Sequence, residues 1–147
     1  MNRSLILITF IAVCAAFAGL CRAQSDAPYT DGPVWSIIMI KSKPGMTDDY
    51  LKTWSKSFKA YNDEAKKQGV IMDYKILLGD ASSPQDFDIL IMTELKNMAA
   101  LDGLRAKLDP IADKLIGNED VQREGAVKRM EIREIMGNKN MREITLK

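Results

Sequence analysis

The chain contains no histidine, and only two cysteines, Cys14 and Cys21, both near the N-terminus. Without histidine, a zinc ion loses its usual ligand, a haem iron its commonest proximal ligand, and a Ser-His-Asp or Cys-His triad its base. The groups that remain for chemistry are carboxylates, Lys, Arg, Tyr, Trp, Ser and Thr. We therefore predict no metal site and no cofactor.

The N-terminal segment predicts that neither cysteine remains in the mature protein. Residues 1–23 combine a short positive start, an uncharged apolar run from Leu5 to Leu20, and small residues up to Ala23. This is the pattern of a secretory signal peptide cleaved after Ala23. The apolar run, of about 16 residues, is shorter than the roughly 20 that span a bilayer. A lipid-anchored cysteine is disfavoured because a bulky residue precedes each cysteine. We expect a secreted or periplasmic protein with no membrane attachment after cleavage.

The chain also lacks an excess of one charge. It has 21 basic and 20 acidic residues, and loss of Arg3 and Arg22 with the signal peptide leaves a small acidic excess. No run of five or six like charges is present. Nucleic acids and anionic membranes both attract a basic surface, so neither is an expected partner. No glycine-rich phosphate-binding motif is present either.

Apolar periodicity predicts one α+β domain over residues 34–147, preceded by a flexible arm at 24–33. We expect strands at 34–41, 70–78, 87–95 and 141–146. A first helix, with Thr47 as a candidate cap, ends at Gly69, and a second, capped by Asn97, has a kink or break at Asp109-Pro110. Residues 119–136 fit either a third helix or part of a hairpin around GNKN.

The order β-α-β-β-α-(α)-β predicts a ferredoxin-like fold, with a four-stranded antiparallel sheet and the helices on one face. The first helix carries an apolar stripe made of Leu51, Trp54, Phe58, Tyr61 and Ala65. The first strand is apolar on both faces: Val34, Ile38 and Ile40 alternate with Trp35, Ile37 and Met39. The face without helices would expose an apolar patch of roughly several hundred Å², more than a monomer usually tolerates. We therefore predict a homodimer that packs sheet against sheet.

The first strand is followed by K-S-K-P-G-M-T and an acidic helix start with Tyr50 and Trp54. This arrangement, over residues 34–117 and the last strand, resembles the dimeric α+β barrel superfamily, which includes antibiotic-biosynthesis-monooxygenase-like and NIPSNAP-like domains. The resemblance implies a ligand cleft between each sheet and its own helices. The superfamily includes cofactor-free monooxygenases, small isomerases and domains with no known activity, so the resemblance implies one of these roles. The haem-degrading branch fits poorly because its usual iron ligand is histidine, and no catalytic motif of the superfamily matches this chain.

Four aromatic residues are candidates for lining such a cleft: Trp35, Trp54, Tyr61 and Tyr74. The helical spacing of Trp54 and Tyr61 favours the hydrophobic core over the cleft. Tyr74, between Asp73 and Lys75 in a strand, is the best candidate for a polar tip in a pocket. Arg142 could hold an anionic ligand, or could pair with Glu143 or another surface carboxylate.

These features predict a secreted or periplasmic homodimer that binds a small apolar or aromatic molecule without catalysis. One alternative is a cofactor-independent monooxygenase or isomerase acting on a phenolic or dicarbonyl compound, with Tyr74 in its site. Another is a structural or protein-interaction domain that uses its charged third helix. A filled cleft would favour the interaction domain, whereas an open cleft lined by Tyr or Arg would favour the other two.

Overall fold

A computed structural model describes residues 26–147. The predicted signal peptide, residues 1–23, lies outside the described residues, as do the first two residues of the predicted arm. The elements, in chain order, are β1 (Tyr29–Ser42), α1 (Thr47–Lys67), β2 (Asp73–Leu78), β3 (Ile89–Leu95), a 3-10 turn (Met98–Leu101), α2 (Leu104–Leu115), α3 (Glu119–Met130) and β4 (Arg133–Leu146). None of the described helices is both long enough and apolar enough to cross a membrane.

The four strands form one sheet in the order β2-β3-β1-β4, with every neighbouring pair antiparallel. The helices pack on one face. This element order and strand order confirm the predicted ferredoxin-like α+β fold.

The two faces of β1 separate as the alternation predicts. Val34 pairs with Leu95 and Ile40 pairs with Ile89. These four side chains are 0% exposed and pack in two buried clusters with residues of the helices. The alternate residues of β1 therefore point to the other face of the sheet, which we call the outer face.

Helix α1 ends where the sequence predicts, but it does not have the predicted N-terminal cap. Gly69 has φ of 68°, and its N–H and that of Val70 donate to the carbonyls of Lys66 and Ala65. This is the Schellman arrangement that a glycine after a helix favours, so Gly69 ends α1 as predicted. The predicted Thr47 cap is wrong: Thr47 is the first helical residue, and its hydroxyl lies 2.7 Å from that of Ser42 instead.

The second helical segment is interrupted, but not where the sequence suggested. Asn97 caps it as predicted, since its side chain accepts from the N–H of Ala100. The break comes at Gly103, whose φ of 65° is left-handed, so that the 3-10 turn ends and α2 begins there. Pro110 lies inside α2, where its fixed φ is compatible with a helix at the cost of one hydrogen bond.

The last segment is neither an 18-residue helix nor a hairpin around GNKN. Helix α3 stops at Met130, and residues 133–146 form one strand that pairs with β1 along its length. Backbone groups along the edge of β1 pair with residues throughout the segment. A β-bulge near Gly137 accommodates a shift in register, so the strand continues through GNKN.

The predicted flexible arm is also corrected, because Tyr29 to Pro33 belong to β1. Tyr29 pairs with Leu146, and a second bulge lies between Asp31 and Val34. A Cβ at Gly32 would lie 3.0 Å from the carbonyl oxygen of Glu143, so the close approach of the strands favours glycine there.

Candidate functional site

An open cleft of about 760 Å³ lies between the helix-facing side of the sheet and helices α1 and α3. Its floor is formed by Ile38 of β1 and Ile91 of β3. Ile38 is 36% exposed, although Val34 and Ile40 on the same side of the same central strand are 0% exposed. The helices therefore leave the middle of the sheet uncovered, and solvent reaches it through the cleft.

Helix α1 gives the cleft an aromatic wall. Tyr50, Trp54, Phe58 and Tyr61 follow one another at spacings of four, four and three, which places them on one face of the helix. The ring centroids of Tyr50 and Trp54 are 5.4 Å apart, and those of Trp54 and Phe58 are 4.5 Å apart, with the second pair edge to face. Tyr50 and Trp54 are buried members of a core cluster and only border the cleft, as the core interpretation of Trp54 predicted, whereas Phe58 and Tyr61 are half-buried and offer more of their rings to it.

Helix α3 forms the opposite wall and leaves the space open. It has no buried residue, so it packs only loosely over the sheet. Its cleft-facing side includes the small residues Gly125 and Ala126. A Cβ at Gly125 would lie 3.2 Å from Nη1 of Arg129, so the Arg129 side chain runs back along α3 over this glycine. The end of α2 closes the cleft with Leu115 and Ile116.

Two arginines and a tyrosine form the inner end of the cleft, which we call the arginine end. Arg133, the first residue of β4, donates from Nη1 to the hydroxyl of Tyr50 over 3.1 Å, and its guanidinium lies 5.2 Å from the centre of that ring. Arg129 lies on the last turn of α3 and is half-buried. Within residues 26–147 neither arginine is in an ion pair.

The arginine end carries unneutralised positive charge in a partly buried place. Burial and the nearby charge of Arg133 lower the pKa of the Arg129 guanidinium. Two buried donors have no acceptor among the described residues: Nε of Arg133 and Nε1 of Trp54. Both atoms are fully buried and so are closed off from the cleft. The other N–H groups of Arg129 and Arg133 line it, and they make this end chemically suited to an acceptor-rich group.

The tyrosines of the cleft are poor bases. Burial raises the pKa of both Tyr50 and Tyr61. Both phenols are therefore neutral near pH 7 and can donate or accept hydrogen bonds. Glu119 lies at the mouth, where it is largely exposed and 3.8 Å from Arg105.

Of the predicted site residues, the structure brings only Trp54 and Tyr61 into the cleft. Trp35 lies on the outer face, where its indole donates to Glu143 over 2.9 Å and Lys75 lies 4.8 Å from its ring. The prediction that Trp35 could line the same cleft is corrected, because successive residues of a strand point to opposite faces.

Tyr74 and Arg142 also lie outside the cleft lining. The ring of Tyr74 packs edge to face on Phe58, with the centroids 5.9 Å apart, so it extends the aromatic wall away from the cleft. Its hydroxyl donates to Asp63 over 2.8 Å on the surface. Arg142 pairs with Asp31, the surface-carboxylate alternative that its sequence context left open.

Sequence reasoning missed Tyr50, Phe58 as a lining residue, and both arginines. Tyr50 could have been found, because it lies four residues before Trp54 and so shares its helix face. Arg129 and Arg133 are also four apart, but they belong to different elements, and no local pattern indicates that the chain turns between them.

A second recess, of about 360 Å³, lies near the C-terminal end of α1 and carries no aromatic side chain; its lining is Gln68, Gly69, Val70, Met72, Lys96, Ala100 and Lys107. In the part of the chain that the structure describes, no three His, Cys, Asp or Glu side chains come together as a metal site would require. The cleft is therefore the better candidate for a ligand.

Two solved structures are similar to this chain over most of its length. One is a dimeric ferredoxin-like protein from an uncultured marine organism, with 13% identity, a TM-score of 0.47, and coverage of 80% of this chain and 90% of that one. The other is a dimeric protein of unknown function and ferredoxin-like fold from Bacteroides fragilis, with 14% identity, a TM-score of 0.38, and coverage of 78% and 96%. No family model matches the chain, and no curated protein does. The ferredoxin-like fold of this chain follows from its own strand order.

Proposed function

We propose that this protein is a secreted or periplasmic homodimer of the dimeric α+β barrel type, antibiotic-biosynthesis-monooxygenase-like or NIPSNAP-like, that binds a small apolar or aromatic molecule. The observation that carries the proposal is the exposure of Ile38 at the bottom of an open cleft in the middle of the sheet. The signal-peptide pattern of residues 1–23 supports the proposed export.

The size and lining of the cleft suit a small aromatic ligand. Its volume of about 760 Å³ lies within the usual range of ligand pockets, about 300–1,000 Å³. An aromatic ring placed between the α1 wall and α3 would meet Trp54 and Phe58 and cover Ile38. Aromatic pairs add about 0.5–1.5 kcal/mol each beyond the burial of apolar area.

An open cleft lined by tyrosine and arginine favours ligand binding over a purely structural role. The oxygenase or isomerase alternative relied on Tyr74, whose hydroxyl is engaged with Asp63 outside the cleft lining. The carboxylate among the described lining residues, Glu119, lies at the mouth and is paired with Arg105. Binding without catalysis is therefore the function that we put forward.

The proposed dimer rests on the outer face of the sheet. Two buried clusters pack helix residues against the sheet, and every strand residue in them lies on the helix-facing side. The centre of the outer face, Trp35 and Ile37, is buried within the single chain, but Leu77 and Met141 are 53% and 49% exposed. With the half-buried Met39, Leu90 and Met92, they form an apolar surface that a second copy would cover.

Filling the cleft tests the binding proposal. Ala126→Phe puts a ring into the space from α3, whereas Val127→Phe, one residue further along, adds the same ring at a position that is 57% exposed and outside the cleft lining. We expect 2-naphthoate and naphthalene-2-carboxamide, titrated with calorimetry, to give at least one complex that Ala126→Phe abolishes and Val127→Phe preserves. No binding of either compound to the wild-type protein, or binding unchanged by Ala126→Phe, would contradict the proposal.

Adjacent residues of β2 provide the test of the dimer. Leu77 points to the outer face and Leu78, 60% exposed, to the other side. We expect sedimentation to show a dimer for the wild-type protein, weakened by Leu77→Lys and unchanged by Leu78→Lys. A monomeric wild-type protein at micromolar concentration would refute the proposed assembly.

A further inference from the structure

The arginine end of the cleft holds two cations that make no ion pair with a described carboxylate; Asp88, whose charge also acts on Tyr50, is hydrogen-bonded to Ser42. Arg129 and Arg133 come from α3 and β4, and both line the cleft beside Tyr50. Isolated charges in a partly buried place are costly, and the usual solution is a charged partner. No described carboxylate forms an ion pair with either guanidinium.

Hydrogen bonding at this end is equally one-sided. The hydroxyl of Tyr50 accepts one bond from Nη1 of Arg133. Nε of Arg133 is buried and closed off from the cleft, so a ligand would meet the other N–H groups of the two guanidiniums, for which no acceptor is present within residues 26–147. Arginine presents its donors as a planar fork that matches the two oxygens of a carboxylate. The donors therefore outnumber the acceptors where the aromatic wall ends.

We infer that the ligand of the cleft is an aromatic carboxylate, with its ring against Trp54 and Phe58 and its carboxylate between Arg129 and Arg133. The inference rests on the proposed binding function and adds the chemical class of the ligand. The aromatic wall and the apolar floor select the ring, and the arginine end selects the anion. A neutral aromatic molecule would contact the aromatic wall but leave Arg129 and Arg133 without an anionic partner.

A carboxylate fits this site better than a phosphate ester. The site supplies two guanidinium groups, and no residue among those described at the arginine end is a lysine or a helix N-terminus. A phosphate, with nearly two charges and three oxygens, usually attracts more donors than that. A single planar carboxylate between the two planar guanidinium groups would match the donors that are present.

The test compares 2-naphthoate with naphthalene-2-carboxamide, which has the same rings and no charge, by calorimetric titration of the full protein at physiological ionic strength. We expect 2-naphthoate to bind at least about tenfold more tightly, since charge-assisted hydrogen bonds are the stronger ones. Arg129→Gln and Arg133→Gln should each remove most of this preference while leaving carboxamide binding within about twofold. Lys128→Gln is the control, because it deletes the same charge from α3 next to Arg129 but outside the cleft lining.

The outcomes separate the two proposals. Equal affinity for the two compounds, with both complexes lost in Ala126→Phe, would overturn the carboxylate inference and leave the binding function standing. A preference for 2-naphthoate that Lys128→Gln reduces as much as Arg129→Gln would also overturn it, since general charge attraction would then be the cause. Tighter binding of 2-naphthyl phosphate than of 2-naphthoate would overturn the choice of carboxylate. Failure of both naphthalene compounds to bind would contradict the binding function itself.

Discussion

Replacing Tyr50 by phenylalanine tests whether its hydroxyl holds the arginine end together. The tyrosine is 1% exposed and accepts a hydrogen bond from Arg133 over 3.1 Å. Phenylalanine keeps the ring and its contact with Trp54, so the substitution deletes one oxygen and leaves the aromatic wall in place. Tyr74→Phe is the matched control, since it deletes a hydroxyl that donates to the exposed Asp63.

The expected magnitude follows from what the deletion leaves behind. A hydrogen bond to a charged group contributes about 1.5–3 kcal/mol to stability, and a partner left unpaired adds to the loss. Nε of Arg133 already lacks an acceptor among the described residues. Tyr50→Phe removes the hydroxyl that accepts from Nη1, so the guanidinium then has no described acceptor. Water can reach Arg133 through the open cleft and partly replace the hydroxyl. We therefore expect a loss of about 1.5–2 kcal/mol, near the lower end of that range.

Urea unfolding, followed by tryptophan fluorescence at one protein concentration, measures both variants against the wild-type protein. We expect Tyr50→Phe to lower the free energy of unfolding with an unchanged denaturant slope, and Tyr74→Phe to lower it clearly less, because its partner is solvated. Equal losses, or a larger loss for Tyr74→Phe, would refute the description of the arginine end.

Two further predictions concern the fold and its pH dependence. Gly69→Ala should destabilise the protein by about 1–2 kcal/mol, because φ of 68° is strained for alanine; Gly79→Ala, at a site where a Cβ meets nothing within 4 Å, should not. Since burial raises the pKa of Tyr61 in the folded state, its contribution to stability is complete below the unfolded pKa, about 10, and is lost as the pH rises above it. Tyr61→Phe should flatten this alkaline fall in thermal unfolding, and an alkaline fall as steep as that of the wild-type protein would contradict the prediction.

Local signals predicted the parts of the fold that depend on short-range chemistry. The alternation along β1 predicted which side chains share a face of the sheet, Gly69 predicted the end of α1, and Asn97 predicted a cap. Each of these depends on residues within one turn or one strand. Gly103 and Pro110 show the limit, because either residue can interrupt a helix and the sequence does not say which one the tertiary structure uses.

The site could be predicted less well because it is assembled from distant segments. Trp35 and Trp54 were both candidates for the cleft, yet the strand directs Trp35 to the outer face and the helix places Trp54 beside the cleft. Arg129 and Arg133 meet Tyr50 only because α3 stops at Met130 and β4 returns along β1. That turn depends on the free edge of β1, which is a property of the whole sheet.

The most direct test of the ligand cleft uses the two indole N–H signals of the chain's two tryptophans. Trp54 lines the cleft and Trp35 lies on the outer face, bonded to Glu143. In a titration with 2-naphthoate followed by nuclear magnetic resonance, with Trp35→Phe to assign the signals, we predict that the Trp54 signal shifts progressively while the Trp35 signal stays in place. A shift of the Trp35 signal alone, or of neither signal at saturating ligand, would contradict the proposal that this cleft binds small aromatic molecules.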